Sequence, residues 1–335
     1  LSNLLAGWGA RLGFSLLHAV GPKRLSILIF HRVLARPDTI YEDEPDAPRF
    51  DALMGVVARG FRVLTLGEAA AHLAAGTLPA RSLVITFDDG YADNAEIALP
   101  ILRRHGLRAS FFVSTGFLDG GRMWNDSIIE CIRACTQEQL DLGEFGLGRL
   151  RMTTPAERRE LLGQLLPRIK YMSLAERERA IAKLLRIARV ERLPDDLMMK
   201  SEQVRELHAA GMEIGGHTIH HPILTTLSAA EAEAEIGGGR ARLQALIDAP
   251  VEVFAYPNGK PGRDYDASHV ALLQRLGFKA AVSTAPGAAA AGADLFQLPR
   301  YTPWGRGLPV WTARLAANQR QTRYEQTPAP AGRVY

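Results

Sequence analysis

Asp88 and Asp89 stand side by side at the end of an apolar run, "LVITFDDGYADN" over residues 83–94, with Gly90 directly behind them. Two adjacent carboxylates at the mouth of a buried strand repel each other and lose hydration, so they need a positive partner. An acid-acid-glycine turn would read the same way, and the rest of the chain has to decide between the two. A second stretch, "GGHTIHHP" over residues 215–222, places His217 and His221 four apart, and three of the nine histidines in the chain fall within five residues there. Two imidazoles at that spacing and one carboxylate make a facial set with open coordination positions. It suits zinc most readily, and cobalt, nickel or manganese as alternatives. Asp89, His217 and His221 are therefore the candidate ligands, with His220 turned away. Asp88, beside them, is the candidate general base for taking a proton from water. The implied chemistry is metal-assisted hydrolysis of a carbonyl compound.

Elements that could carry these residues recur along the chain. Apolar runs at 25–31, 61–66, 82–87, 109–114, 211–217, 251–257, 278–283 and 296–301 alternate with helical patterns such as "ADNAEIALPILRRHG" and "ASHVALLQRLG". Several of the runs are apolar throughout, as strands buried on both faces of a parallel sheet are. The expected class is α/β, a distorted or incomplete βα barrel. Residues 119–200 lack a convincing strand and carry two helix-start signals, Thr154 to Glu157 and Ser173 to Glu176, with Ser201 as a further cap. They read as a helical insertion on the face where the strands end. The barrel then spans 25–320, and 321–335 is expected to be a flexible tail. Residues 1–24 space Leu4, Leu5, Trp8, Leu12 and Leu16 as an amphipathic helix, which would dock on the barrel or make peripheral membrane contact.

Bulk properties exclude several classes. Net charge is +4 over 335 residues, and the arginines alternate with glutamates, as in "LAERERAIAKLLRIARVER". That pattern is a solvated mixed-charge face, and no nucleic-acid motif accompanies it. Only Cys131 and Cys135 are present, spaced for one face of a helix. They read as core thiols, with a metal pair as the lesser alternative.

The pairing of "TFDDG" with His217-Thr-x-x-His221 resembles the polysaccharide deacetylases of the NodB-homology type, carbohydrate esterase family 4, over about 25–118 and 200–305. The resemblance implies a distorted (β/α)7 barrel that removes acetyl groups from N-acetylated sugars. It implies Asp88 as base, Asp89, His217 and His221 as metal ligands, and the Tyr91 backbone amide as an oxyanion partner. Two departures stand out. Ala255 in "FAYPNG" occupies the place of the usual arginine that contacts the base, leaving Arg263 or Arg300 to replace it. A late Leu-x-His motif is missing, and His31, ending "LSILIFH", is the substitute general acid that a closed barrel would bring close. In that respect the chain is similar to the circularly permuted branch that includes biofilm poly-N-acetylglucosamine deacetylases.

Trp124, Asn125 and Asp126 in "MWND" are candidate sugar contacts by stacking and hydrogen bonding, or, for the tryptophan, packing beneath the insertion. Tyr256 is either a stacking wall or core. The expected substrate is an acetamido sugar in a bacterial polysaccharide or its precursor. A hydrolase of small non-sugar amides and an inactive glycan-binding relative are the competing readings. Cytoplasmic or membrane-peripheral placement is expected, with the periplasm as the alternative.

Overall fold

The computed structural model describes residues 23–302 and 307–328. All but the last two residues of the expected N-terminal helix lie outside that range. Seven strands form one parallel sheet: β1 (Ser26–Phe30), β2 (Arg62–Leu64), β3 (Ser82–Phe87), β4 (Ser110–Val113), β7 (Glu213–Gly216), β8 (Val253–Ala255) and β9 (Ala280–Val282). The order is β1-β3-β4-β7-β8-β9, with β2 on the start of β3. The sheet curls, and Leu298 to Tyr301 bridges its two ends, pairing with Val282 on one side and Leu28 on the other. The run expected as an eighth strand at 296–301 is thus reduced to two bridges that close the ring. Its proline, Pro299, cannot donate to a ladder.

Helices α1 (Ala47–Gly60), α2 (Leu66–Ala74), α3 (Leu99–Arg104), α4 (Trp124–Ala134), α5 (Pro155–Lys170), α6 (Leu174–Ala188), α7 (Ser201–Ala209), α8 (Ala229–Ile247), α9 (Ala267–Arg275) and α10 (Leu308–Asn318) make up the rest, with the short hairpin β5 (Gln139–Asp141) and β6 (Arg149–Arg151). Alternate residues of each strand face opposite sides. Ile27, Val84, Phe112, Val253 and Val282 join α2 in one cluster, whereas Leu28, Ile85, Phe111 and Phe254 pack with the outer helices in another. At the start of β7, Glu213 accepts from the Leu66 and Gly67 amides at 2.9 and 3.0 Å. A carboxylate thus meets the positive end of α2, which lies across the N-terminal ends of the strands. The opposite end is left for the site.

Between β4 and β7, helices α4, α5 and α6 share their own apolar cluster, with Leu165 and Leu184 fully buried in it. Both expected capping boxes, Thr154 with Glu157 and Ser173 with Glu176, are formed. The hairpin β5–β6 was not expected there: its strands are three residues long and mostly polar. Lys200, not Ser201, precedes α7, and the Ser201 amide and hydroxyl bond Asp119 instead. Cys131 and Cys135 are buried free thiols. Residues 321–328, expected to be loose, are held: the Thr327 amide donates to Gln297 at 2.7 Å and Ala288 donates to the Gln321 carbonyl at 2.8 Å. Among the described residues no helix is long and apolar enough to cross a membrane.

Candidate metal centre

Strand β3 is buried along its whole length and ends at Phe87, so Asp88 and Asp89 emerge at the C-terminal mouth of the ring. The backbone turns there at a cost. Asp89 has φ +76° and Gly90 φ +91°, and a side chain other than glycine's is uncommon in that region. Thr218 (φ +65°) and His221 (φ +51°) share the strained conformation on the loop that follows β7. Such outliers persist only where surrounding structure imposes them. Here the Thr115 and Gly116 amides hold the Thr218 and Ile219 carbonyls at 3.2 and 2.8 Å. The Thr218 hydroxyl accepts the His221 amide at 3.0 Å.

The two loops bring their side chains to one point. One ligand atom from each of Asp89, His217 and His221 lies within 4.8 Å of the other two, and all three residues are buried. His217 Nε2 is 3.3 Å and His221 Nε2 3.5 Å from Asp89 Oδ1. Ligand atoms about 2.0–2.1 Å from a tetrahedral zinc ion would stand about 3.4 Å apart, which fits those separations. Asp89 Oδ1 is buried with no hydrogen bond of its own. The Nδ1 of His217 is 2.7 Å from the Ala255 carbonyl; donating there leaves Nε2 as the free lone pair directed at Asp89. The donor set fits a divalent first-row cation. Burial opposes the Asp89 charge, yet the closeness of His217 and His221 holds its carboxyl well below the usual range. Burial drives His221 down to about 3, keeping the ring neutral as a ligand must be.

Asp88 lies alongside in a different setting. Arg300, 1% exposed, grips both its oxygens, at 2.6 and 2.7 Å. The Arg300 Nε donates to the Ser283 carbonyl at 2.9 Å, and the Thr86 hydroxyl lies 3.2 Å from the guanidinium. Burial raises the Asp88 pKa, but Arg300 and His217 overcome it and keep the carboxyl ionised. Of the two arginines that could replace the one missing at Ala255, Arg300 does so. Arg263 is exposed and lies over the Tyr171 ring at 4.6 Å.

His31 follows β1, whose Phe30 pairs with Phe87, so it lies beside the aspartate turn. It is near enough to both carboxyl groups to bear on them electrostatically. The segment is tied down: the His31 carbonyl accepts from Asn94 at 2.9 Å, and Asp93 takes Arg32 Nε at 2.8 Å and the Val33 amide at 3.2 Å. Asp93 and Asn94 were not singled out from sequence, although "YADN" is a helix-start pattern that could have marked them. Tyr91 bridges to Met198 through hydrogen bonds of its neighbours Gly90 and Ala92, so its own amide takes no part in that ladder.

The expected sugar contacts fare differently. Trp124 is half-buried at the first residue of α4, not on a loop, and faces a cleft of about 530 Å³ beneath α6. Asn125 and Asp126 stand close beside the Tyr91 side chain. Asp126 is 4% exposed and supports Tyr91 from inside, which corrects its placement on a sugar-facing surface. Tyr256 is also corrected. It is 0% exposed, stacked on Tyr265 with ring centroids 3.7 Å apart, and its hydroxyl donates to the Phe296 carbonyl, so neither face is open to a sugar.

A sequence profile of the Polysaccharide deacetylase family matches residues 75–161 and 173–281, more than half of the chain. The chain belongs to the polysaccharide deacetylase family. YxkH of Bacillus subtilis (strain 168), which carries the polysaccharide deacetylase name, is 20% identical over 281 residues, 83% of this chain and 71% of YxkH. Among solved structures, the Streptococcus pyogenes deacetylase PplD in complex with acetate matches with a TM-score of 0.55 at 20% identity, over 84% of this chain and 92% of PplD. IcaB from Ammonifex degensii matches with the same TM-score and identity, over 88% of this chain and 97% of IcaB. These two likenesses share the fold, and the family profile spans both motifs: Asp88 and Asp89 fall in its first matched block, His217 and His221 in its second. Polysaccharide deacetylases are hydrolases of acetylated polysaccharide.

Proposed function

We propose that this polysaccharide deacetylase removes acetyl groups from acetamido sugars of a bacterial polysaccharide or its precursor by metal-dependent hydrolysis. The observation that carries the reading is the convergence of Asp89, His217 and His221, with the base candidate Asp88 held beside them by Arg300. A divalent cation, zinc first among the candidates, would be held by those three side chains, and there it supplies Lewis-acid polarisation of the carbonyl and activation of water.

The chain's own residues do the rest. Asp88 is ionised and accepts the proton from the attacking water. Arg300 keeps its carboxylate turned to one orientation, which a bidentate guanidinium does better than any single donor. The Tyr91 amide, left out of its bridge, is the donor for the developing oxyanion. His31, at the end of the neighbouring strand, gives a proton to the departing amine. Trp124 and Asn125 are the sugar contacts. That PplD binds acetate, the small product of such a reaction, supports the same chemistry here.

Acetate release from N-acetylglucosamine oligomers, measured with zinc-loaded protein, tests the proposal. Asp88→Asn should abolish turnover with metal content intact, and His217→Ala should lose the metal. Full turnover in Asp88→Asn, or no acetate from the loaded wild type, defeats it.

A further inference from the structure

Among the described residues the arginines that reach into the interior have partners, with one exception. Arg300 holds Asp88 and Ser283, Arg158 holds the Met152 and Cys135 carbonyls, and Arg240 holds that of Val251. Arg177, on α6, is 4% exposed and makes no side-chain hydrogen bond or ion pair among the described residues, and its Nε is buried without a partner. A desolvated cation in that state is costly, and a cation–π contact with Trp124, 5.2 Å from the guanidinium carbon to the ring centroid, offsets only part of the cost. Glu235 is the acid whose field reaches it, but that carboxylate is taken by the Ile219 and His220 amides and the His220 ring. Burial accordingly pulls the Arg177 pKa down.

Arg177 lines the cleft beneath α6. Phe117, Trp124, Leu174 and Ile181 give that cleft apolar walls, Glu178 adds a carboxylate to its lining, and His220, next in sequence to His221, lines it too. Its size, about 530 Å³, is within the ordinary range of ligand pockets. Arg122 also lines it, but its side chain is spent on Ser127 and on the Pro194 carbonyl. The Arg177 charge is felt at His221, so the cleft lies within electrostatic reach of the metal centre. An unpaired fork of donors at an apolar wall is the arrangement that recognises a carboxylate or phosphate bidentately.

We propose that this cleft binds an oxyanion carried by the substrate, so that the enzyme prefers acidic glycans, with Arg177 as the residue that reads a carboxylate or phosphate near the acetamido sugar. The proposal rests on the deacetylase reading for what occupies the neighbouring metal centre. The anion supplies the missing partner of Arg177, and the sugar that carries it lies against Trp124.

Binding to the zinc-loaded full chain, followed by calorimetry, tests this with three probes. They are neutral N-acetylglucosamine tetramer, a hyaluronan tetrasaccharide that carries glucuronate carboxylates, and UDP-N-acetylglucosamine, which carries phosphates. The wild type should bind at least one acidic probe about tenfold or more tighter than the tetramer, the scale of one charge-assisted contact. Which acidic probe wins separates a carboxylate from a phosphate source. The preference should shrink toward one in Arg177→Gln, survive in part in Arg177→Lys, and weaken with added salt in the wild type. Equal affinity for all three probes, or a preference untouched by Arg177→Gln, overturns the proposal. Acetate release is scored separately. Tight acidic binding with no acetate from any probe would sink the deacetylase reading and leave the oxyanion site standing; acetate release with no acidic preference would do the reverse.

Discussion

Arg300 neutralises one buried carboxylate and fixes its orientation, so its loss should show in both stability and turnover. Arg300→Met leaves Asp88 buried without its partner. Breaking a pair of this kind costs about 3–5 kcal/mol, to be read from urea unfolding. The Arg300→Met, Asp88→Asn double variant should recover much of that loss, because the uncompensated charge is gone. Asp126 gives a prediction of opposite sign. Burial, against the pull of Arg32 and Tyr91, lifts its carboxyl to about 7 from an ordinary value near 3.8. Between those two values the folded chain holds a proton that the unfolded chain has released. The Asp126 contribution to stability is therefore greatest below about pH 4, declines as pH rises toward 7, and levels off above, by up to about 4 kcal/mol. Asp126→Asn should lack that decline, and unfolding free energies of the two proteins at pH 5, 6, 7 and 8 will show whether the gap widens. At this scale the ligand trio was legible because acids and histidines bunch so rarely beside apolar runs. Arg300 was visible only as one of two arginines, since its position depends on how the ring closes. Arg177 carried no signal: among the mixed charges of "AERERA" nothing marks one arginine as buried.

The loop that carries His217 and His221 is seated by a helix with an unusual gap. In α8, within the run Gly237-Gly238-Gly239, Gly238 and Gly239 face that loop, and a Cβ on Gly239 would lie 2.9 Å from the Thr218 carbonyl carbon and oxygen. Backbone cannot yield as a side chain can. Gly239→Ala should therefore push Thr218, already at φ +65°, and weaken zinc binding at least about tenfold, equal to about 1.4 kcal/mol of misplacement. Gly237→Ala is the control. Its nearest neighbour is the Leu276 side chain at 3.8 Å, so it should keep zinc affinity and gain up to about 1 kcal/mol from helix propensity. Zinc titration of both variants decides the matter. The long apolar strands and the capping boxes could be read directly, because periodicity and caps are local. The hairpin β5–β6 could not, because three-residue strands with polar ends leave no period to detect. The fourth-strand exit was misjudged at Trp124 for a related reason: a helix opening on tryptophan without a side-chain cap has no start signal.

Ring closure is what turns separate loops into one site. Asp88 and Asp89 leave β3 and the histidines leave β7, with β4 between them. Arg300 comes from the segment that joins β9 to β1 on the far side of the ring. A parallel barrel was legible from apolar runs alternating with helices. Closure by Leu298 to Tyr301 was not, because a short stretch broken by Pro299 makes bridges rather than a ladder. It follows that a cation held by Asp89, His217 and His221 ties together parts of the ring that are otherwise joined only through the sheet. Binding to the folded chain alone stabilises it by mass action, about 2.7 kcal/mol when free zinc stands at 100 times its dissociation constant. The melting temperature of the whole protein should therefore rise with zinc and fall with a chelator, while His217→Ala, short of one ligand, should show neither change. If wild type and His217→Ala respond alike, the three side chains do not share an ion.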